Sequence, residues 1–136
     1  MGMTFFYMEN GFLLYRASEP RLVTLGVFLI ADVQKSPTLG YDLLDLVERA
    51  YTGQEDETVW DGEGFYVTFS RADGVTMQNN FLEDQHGTYA LDEVRAIAQD
   101  YWTFIASAAG PKQCAFELKL WEQTWERPHP YRGRLF

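Results

Sequence analysis

The side chains able to carry out proton or group transfer are few in this chain, and their spacing does not assemble a reactive centre. His86 and His129 are the only histidines. Neither has a second His or a Cys at metal-ligand spacing, so no metal site is expected. Glu83-Asp84-Gln85-His86 has the donors for a weak cation site, but an isolated run of this kind reads first as a solvated loop. His129, set between Pro128 and Pro130, reads as an exposed tail residue. The single cysteine, Cys114, lies beside Phe116 and Leu118 and reads as a buried structural thiol, with no adjacent base to activate it. Ser18, Ser36, Ser70 and Ser107 sit in no nucleophile elbow. Gly62 and Gly64 form G-x-G without a third glycine, a following helix or a phosphate-binding lysine, so no cofactor is expected.

Carboxylates are the exception, and here abundance is the obstacle. The 136 residues hold 20 Asp and Glu against 11 Lys and Arg, a net charge of −9. The excess is concentrated. Residues 42–100 contain fourteen acids against Arg49, Arg71 and Arg95, a net of −11, whereas residues 1–41 are neutral and residues 101–136 carry +2. Any two acids could serve as a general acid and base, but no pair is singled out by a His, Lys or Ser partner. A non-enzyme is expected. A central section of this charge repels a phosphate backbone and an anionic membrane, and attracts a basic protein surface.

The rest of the composition sets the frame. At 136 residues, 46% hydrophobic and 16% aromatic, the chain suits one domain with its own core. One cysteine forbids an internal disulfide and points to a reducing compartment. The apolar run Leu22 to Ala31 is too short to cross a bilayer. The segment Met1 to Tyr7 has neither a basic region nor a cleavage site of small residues. A soluble, cytoplasmic protein is expected.

The elements that must position the acids follow from periodicity. Asn10-Gly11 between Thr4–Met8 and Phe12–Arg16 predicts a β-hairpin. Leu22 to Ile30, rich in Leu, Val, Ile and Phe, predicts a third strand. Leu43, Leu44, Val47, Ala50 and Tyr51 form one face of a helix from about Tyr41 to Tyr51. Three short strands follow, Glu57–Trp60, Phe65–Ser70 and Val75–Asn79, with Asp73-Gly74 as a hairpin turn. Val94, Ile97, Ala98, Tyr101, Phe104, Ile105 and Ala108 mark a long helix over 91–108, stopped by Gly110-Pro111. Cys114, Phe116, Leu118 and Leu120 alternate as in a strand reaching about Trp121. Helical spacing of Leu118, Trp121 and Trp125 is the alternative. Tyr131 to Phe136 reads as an arm in need of a surface. The expected fold is α+β: an antiparallel sheet of about five to seven strands with two main helices on one face. A core over 1–110 and a Trp-rich extension over 111–136 form one domain.

Several of these segments resemble known families. They are Leu43-Leu44-Asp45-Leu46-Val47-Glu48-Arg49-Ala50, Trp60-Asp61-Gly62-Glu63-Gly64-Phe65-Tyr66-Val67, Asp73-Gly74-Val75-Thr76-Met77-Gln78-Asn79, and Tyr89-Ala90-Leu91-Asp92-Glu93-Val94 with the helix to Ile105. Together they resemble the small acidic immunity proteins of bacterial contact-dependent inhibition and polymorphic toxin systems, and the YacL-like family. The likeness spans roughly residues 4–108, and the tail from Pro111 departs from it. It implies a protein that binds and blocks a toxin domain, often a nuclease, without catalysis. An acidic inhibitor can fill a nuclease's basic cleft with carboxylates where phosphates would lie. Loop position and charge then select Glu55, Asp56, Glu57, Asp61, Glu63, Glu83 and Asp84 as partner contacts, with Trp60 and Tyr66 as apolar anchors. Two other readings stand beside it: an adaptor using the same acids on another basic protein, and a small enzyme with an Asp/Glu pair beneath the Trp-rich tail. Free sheet edges leave monomer and homodimer both open.

Overall fold

A computed structural model describes residues 2–136. The opening hairpin forms, with β1 (Met3–Tyr7) antiparallel to β2 (Leu13–Ala17) and Phe5 opposite Tyr15. It does not use the type I′ turn that Asn10-Gly11 suggests: the Met8 N–H donates to the Phe12 carbonyl across a longer loop, and Gly11 has a positive φ while Asn10 does not. The chain then departs from expectation. Residues 20–33 are helical throughout: a 3₁₀ turn (Pro20–Leu22), α1 (Val23–Phe28) and a π turn (Leu29–Val33). Composition suggested a strand, but the residues this segment buries decide otherwise. Leu22, Leu25, Leu29 and Val33 are buried at a spacing of three to four, which is the period of a helix and not of a strand. Pro20 opens the run, where its missing N–H costs nothing.

Helix α2 (Pro37–Tyr51) starts at Ser36, whose hydroxyl accepts the Leu39 N–H at 3.1 Å as an N-cap. It carries the apolar face anticipated for it. Strands β3 (Glu57–Asp61), β4 (Phe65–Ser70), β5 (Gly74–Asn79) and β6 (His86–Tyr89) then form an antiparallel sheet in simple sequence order. The six strands therefore build two sheets, of two and four strands, and not the single larger sheet expected. With 20–33 and the tail both helical, no strand remains to join the hairpin to the meander. Alternation sets the sheet's two faces. Trp60, Phe65, Val67, Phe69, Val75 and Met77 point into the core, while Glu57, Val59, Asp61, Tyr66 and Thr76 are exposed on the other face.

Helix α3 (Leu91–Ala109) packs on α2, burying Val94, Ile97, Ala98, Tyr101 and Ile105. After Gly110 comes α4 (Pro111–Trp125), a helix where the alternating pattern had suggested a strand. Cys114, Leu118 and Trp121 turn inward at helical spacing, and Phe116 and Leu120, half of the apparent alternation, are left exposed. A segment rich in Lys, Gln, Glu, Leu and Ala favours that outcome. Four helices are thus present where two main ones were expected. None of the described helices is long and apolar enough to cross a membrane.

The last residues lie on the core. His129, expected to be exposed, is only 2% exposed. Its Nε2 lies 2.8 Å from the Tyr41 carbonyl, and its Nδ1 accepts the Tyr131 N–H at 3.1 Å, which assigns the proton to Nε2. Burial lowers its pKa, against the opposing pull of the Tyr41 carbonyl. Phe136 packs edge-on against Tyr41 and Trp102, at 4.9 and 5.4 Å between ring centres. Trp102, off the apolar stripe of α3, is thereby covered by the tail.

Candidate functional site

The W-x-G-x-G segment acquires a physical reason from an acid far upstream. Asp32 projects from the π turn, and its carboxylate accepts the Trp60 indole N–H at 3.1 Å and the backbone N–H groups of Gly64 and Phe65 at 3.1 and 3.0 Å. The β3–β4 turn folds tightly around these oxygens. A Cβ on Gly62 or Gly64 would lie 2.3 or 2.6 Å from a carboxylate oxygen, so both positions exclude a side chain. Asp32 had no place among the sequence candidates. A lone acid inside an apolar run is nevertheless a usable signal, since a buried carboxylate requires dedicated donors.

Wrapping the turn around Asp32 leaves Asp61 and Glu63 exposed at its tip. The β5–β6 loop is tied to the same place. Asn80 N–H donates to the Gly64 carbonyl at 2.8 Å, and the Asn80 side chain reaches the carbonyls of Gly62 and Glu63. Asn79 Oδ1 accepts the N–H groups of Phe81 and Leu82, which holds both side chains out in solvent. Glu83 and Asp84 continue this loop, also exposed. Tyr66, directly opposite Asp61 in the ladder, is 45% exposed on the same face.

The nine predicted contacts therefore divide. Asp61, Glu63, Tyr66, Glu83 and Asp84 belong to one end of the sheet. Glu55, Asp56 and Glu57 belong to the other, about 14 Å away along β3. Glu55 forms an ion pair with Arg49. Trp60 is 7% exposed and packs edge-on against Phe28 at 5.4 Å, so it is a core residue that anchors the turn from within.

Beside β3 runs a groove of about 880 Å³, lined by Val59, Trp60 and Asp61 of β3, by Asp42, Asp45, Leu46 and Arg49 of α2, and by the 62–64 turn. Phe81, 80% exposed, and Trp125, 53% exposed, also line it. These are the apolar groups that sequence reasoning missed. The available signal was a Phe-Leu pair inserted between asparagines and acids, where a solvated turn has no use for bulky apolar residues. Five carboxylates face one guanidinium in the lining. Asp45 is neutralised by Arg127, in two bonds of 2.9 and 2.8 Å, and by Arg49 at 3.1 Å. Asp42 accepts the Trp121 indole N–H at 2.8 Å. Burial raises the Asp42 pKa, the Trp121 bond opposes this, and the neighbouring Asp45 adds to it.

Chemically, such a groove receives cations and hydrogen-bond donors. No His, Cys, Ser or Lys lines it. Among the described residues no cluster of three or more His, Cys, Asp and Glu side chains has the arrangement to hold a metal ion. Cys114 lies elsewhere, on α4, half-buried with its thiol near the Ala106 carbonyl. Burial raises its pKa, the reverse of an activated thiol. No protein-family model, curated protein or solved structure matches the chain.

Proposed function

We propose that this chain is an immunity-type protein, a stoichiometric inhibitor that occludes a basic toxin domain of the nuclease class and has no catalysis of its own. One observation carries the reading. Asp61, Glu63, Glu83 and Asp84 stand together at one end of the sheet with no ion-pair partner among the described residues, interleaved with exposed Tyr66, Phe81 and Leu82. Unpaired carboxylates there take the positions that substrate phosphates would occupy in a cationic cleft, and the aromatic groups supply desolvated anchors. The motif resemblance points to the same class. Such an inhibitor acts in the cytoplasm against a toxin made by the same or a neighbouring cell.

The test is inhibition and association with the toxin domain encoded beside the gene. Inhibition should saturate at one equivalent. The association rate should fall by about tenfold or more from low to physiological ionic strength, since steering between opposite charges is screened beyond ~8 Å. Reversing Asp61, Glu63, Glu83 and Asp84 to Lys should abolish protection while the fold survives. A salt-independent association rate, or full protection by the reversed variant, would overturn the reading. Binding to a basic protein that has no activity to inhibit would favour the adaptor.

A further inference from the structure

Each edge strand of the four-stranded sheet is tied to a helix by one side-chain hydroxyl. At β6 the Thr24 hydroxyl of α1 donates to the His86 carbonyl at 3.2 Å, so the helix meets a backbone group of that edge. At β3 the Thr58 hydroxyl donates to the Leu46 carbonyl of α2, a bond that uses no backbone group of the strand. The Gly62 N–H donates to the Phe65 carbonyl at 2.9 Å and sets the phase of the β3–β4 ladder. Antiparallel bonds recur every second residue, so Trp60 and Thr58 are bonded to β4, and the N–H and C=O groups of Val59 and Asp61 point to the free side. None of these four groups has a partner among the described residues. The groove runs beside this row. An open edge is a liability that folds ordinarily cover, and here the open groups of Val59 and Asp61 border the space lined by Asp42, Asp61 and Glu63.

From this edge and its charge we infer that β3 is a strand-addition site, which accepts an extended basic segment of a partner protein as a fifth strand. The inference rests on the partner being a basic protein, as proposed above, and specifies how it docks. The added strand would satisfy the backbone groups of Val59 and Asp61. Its side chains would alternate between the groove and the exposed face. Lys or Arg at alternate positions would meet Asp42 on the groove side or Asp61 and Glu63 at the turn, and an apolar residue would meet Val59 or Phe81. A neutral or acidic strand finds the same backbone but the wrong charge, which selects the occupant.

The probe is an alternating Lys-Val octapeptide added to the full-length protein labelled with ¹⁵N. The amide resonances of Val59 and Asp61 should shift and their hydrogen exchange should slow. The same peptide methylated on alternate backbone nitrogens should bind about tenfold weaker or worse, and a Glu-Val octapeptide should not bind. Equal binding of the methylated peptide, no binding of the Lys-Val peptide, or shifts that leave out Val59 and Asp61 would overturn strand addition. Val59→Pro deletes an N–H that no ladder bond uses. With unchanged circular dichroism it should weaken association with the toxin domain by about tenfold. If Val59→Pro inhibits as well as the native chain while reversal of Asp61 and Glu63 abolishes inhibition, the docking mode fails and the inhibitor reading survives. If the peptide pairs with β3 but the chain inhibits no toxin, the docking mode survives and the inhibitor reading fails.

Discussion

Two groups of carboxylates in this chain, alike in sequence, do opposite work. On α2, Asp45 and Glu48 are buried and surrounded by arginines. Glu48 accepts from Arg95 at 3.0 Å, from the Tyr131 hydroxyl at 2.7 Å and from Arg134 at 3.1 Å. Burial alone would raise its pKa, but these three donors outweigh burial and hold it below the usual carboxylate range. At the far turns, Asp61, Glu63, Glu83 and Asp84 are exposed and have no ion-pair partner among the described residues. The first group clasps the C-terminal segment to the core; the second leaves its field unneutralised, as the proposed inhibitor would require. Of the fourteen acids in 42–100, Asp45, Glu48, Glu55 and Glu93 are ion-paired and, among the described residues, the other ten have no such partner. Internal pairing therefore reduces the negative field without cancelling it. Net charge is a poor guide to recognition until the paired fraction is removed.

The contrast can be broken most severely by removing the clasp. Ending the chain after Glu126 uncovers Tyr41, Trp102 and Trp121 and strips Asp45 and Glu48 of Arg127, Tyr131 and Arg134. The loss should exceed about 5 kcal/mol, comparable to a small domain's whole stability, and thermal melts should show no cooperative transition. Next in size is Glu48→Gln, which leaves Arg95 and Arg134 without their anion. A broken buried pair costs about 3–5 kcal/mol, and because both arginines retain some access to water a cost of about 2–3 kcal/mol is expected in urea unfolding.

Acid should act on the clasp in two stages. The folded His129 pKa is depressed, so its contribution is complete above the unfolded value of about 6.5 and is lost as pH falls below it, at no more than about 1.4 kcal/mol per pH unit. Glu48, also depressed, begins to lose its contribution only below about pH 4.3. Urea midpoints measured from pH 7.5 to 5 should fall for the native chain, and His129→Phe should flatten that slope. Smallest of all should be single reversals such as Glu63→Lys or Asp84→Lys, each within about 0.5 kcal/mol of native stability. A large cost there would mean that the turn acids are structural after all and erase the distinction between the two groups.

Much of this architecture was legible beforehand. The apolar face of Leu43, Leu44, Val47 and Ala50, the long stripe from Val94 to Ala108, and the Asp73-Gly74 hairpin are local patterns, and α2, α3, β3, β4 and β5 lie within a few residues of where those patterns place them. The failures share a cause. Residues 20–33 are apolar enough to read either way, and residues 111–125 set an apparent alternation against strong helix formers, so the local pattern alone did not choose between strand and helix. The candidate site was half legible. Exposed turn acids follow from turn residues, but the burial of Trp60 depends on Asp32, twenty-eight residues away.

By itself the sequence determined the apolar periodicities, the turns and the excess of acid in the middle of the chain, because each is set by residues within a few positions of one another. Arg49 stands one helical turn from Asp45, but tertiary structure decided how completely the α2 acids are neutralised. Arg127 reaches Asp45 across eighty-two residues and Arg134 reaches Glu48 across eighty-six. A carboxylate's role depends on the donors and the dielectric around it, and these are fixed only when distant segments pack.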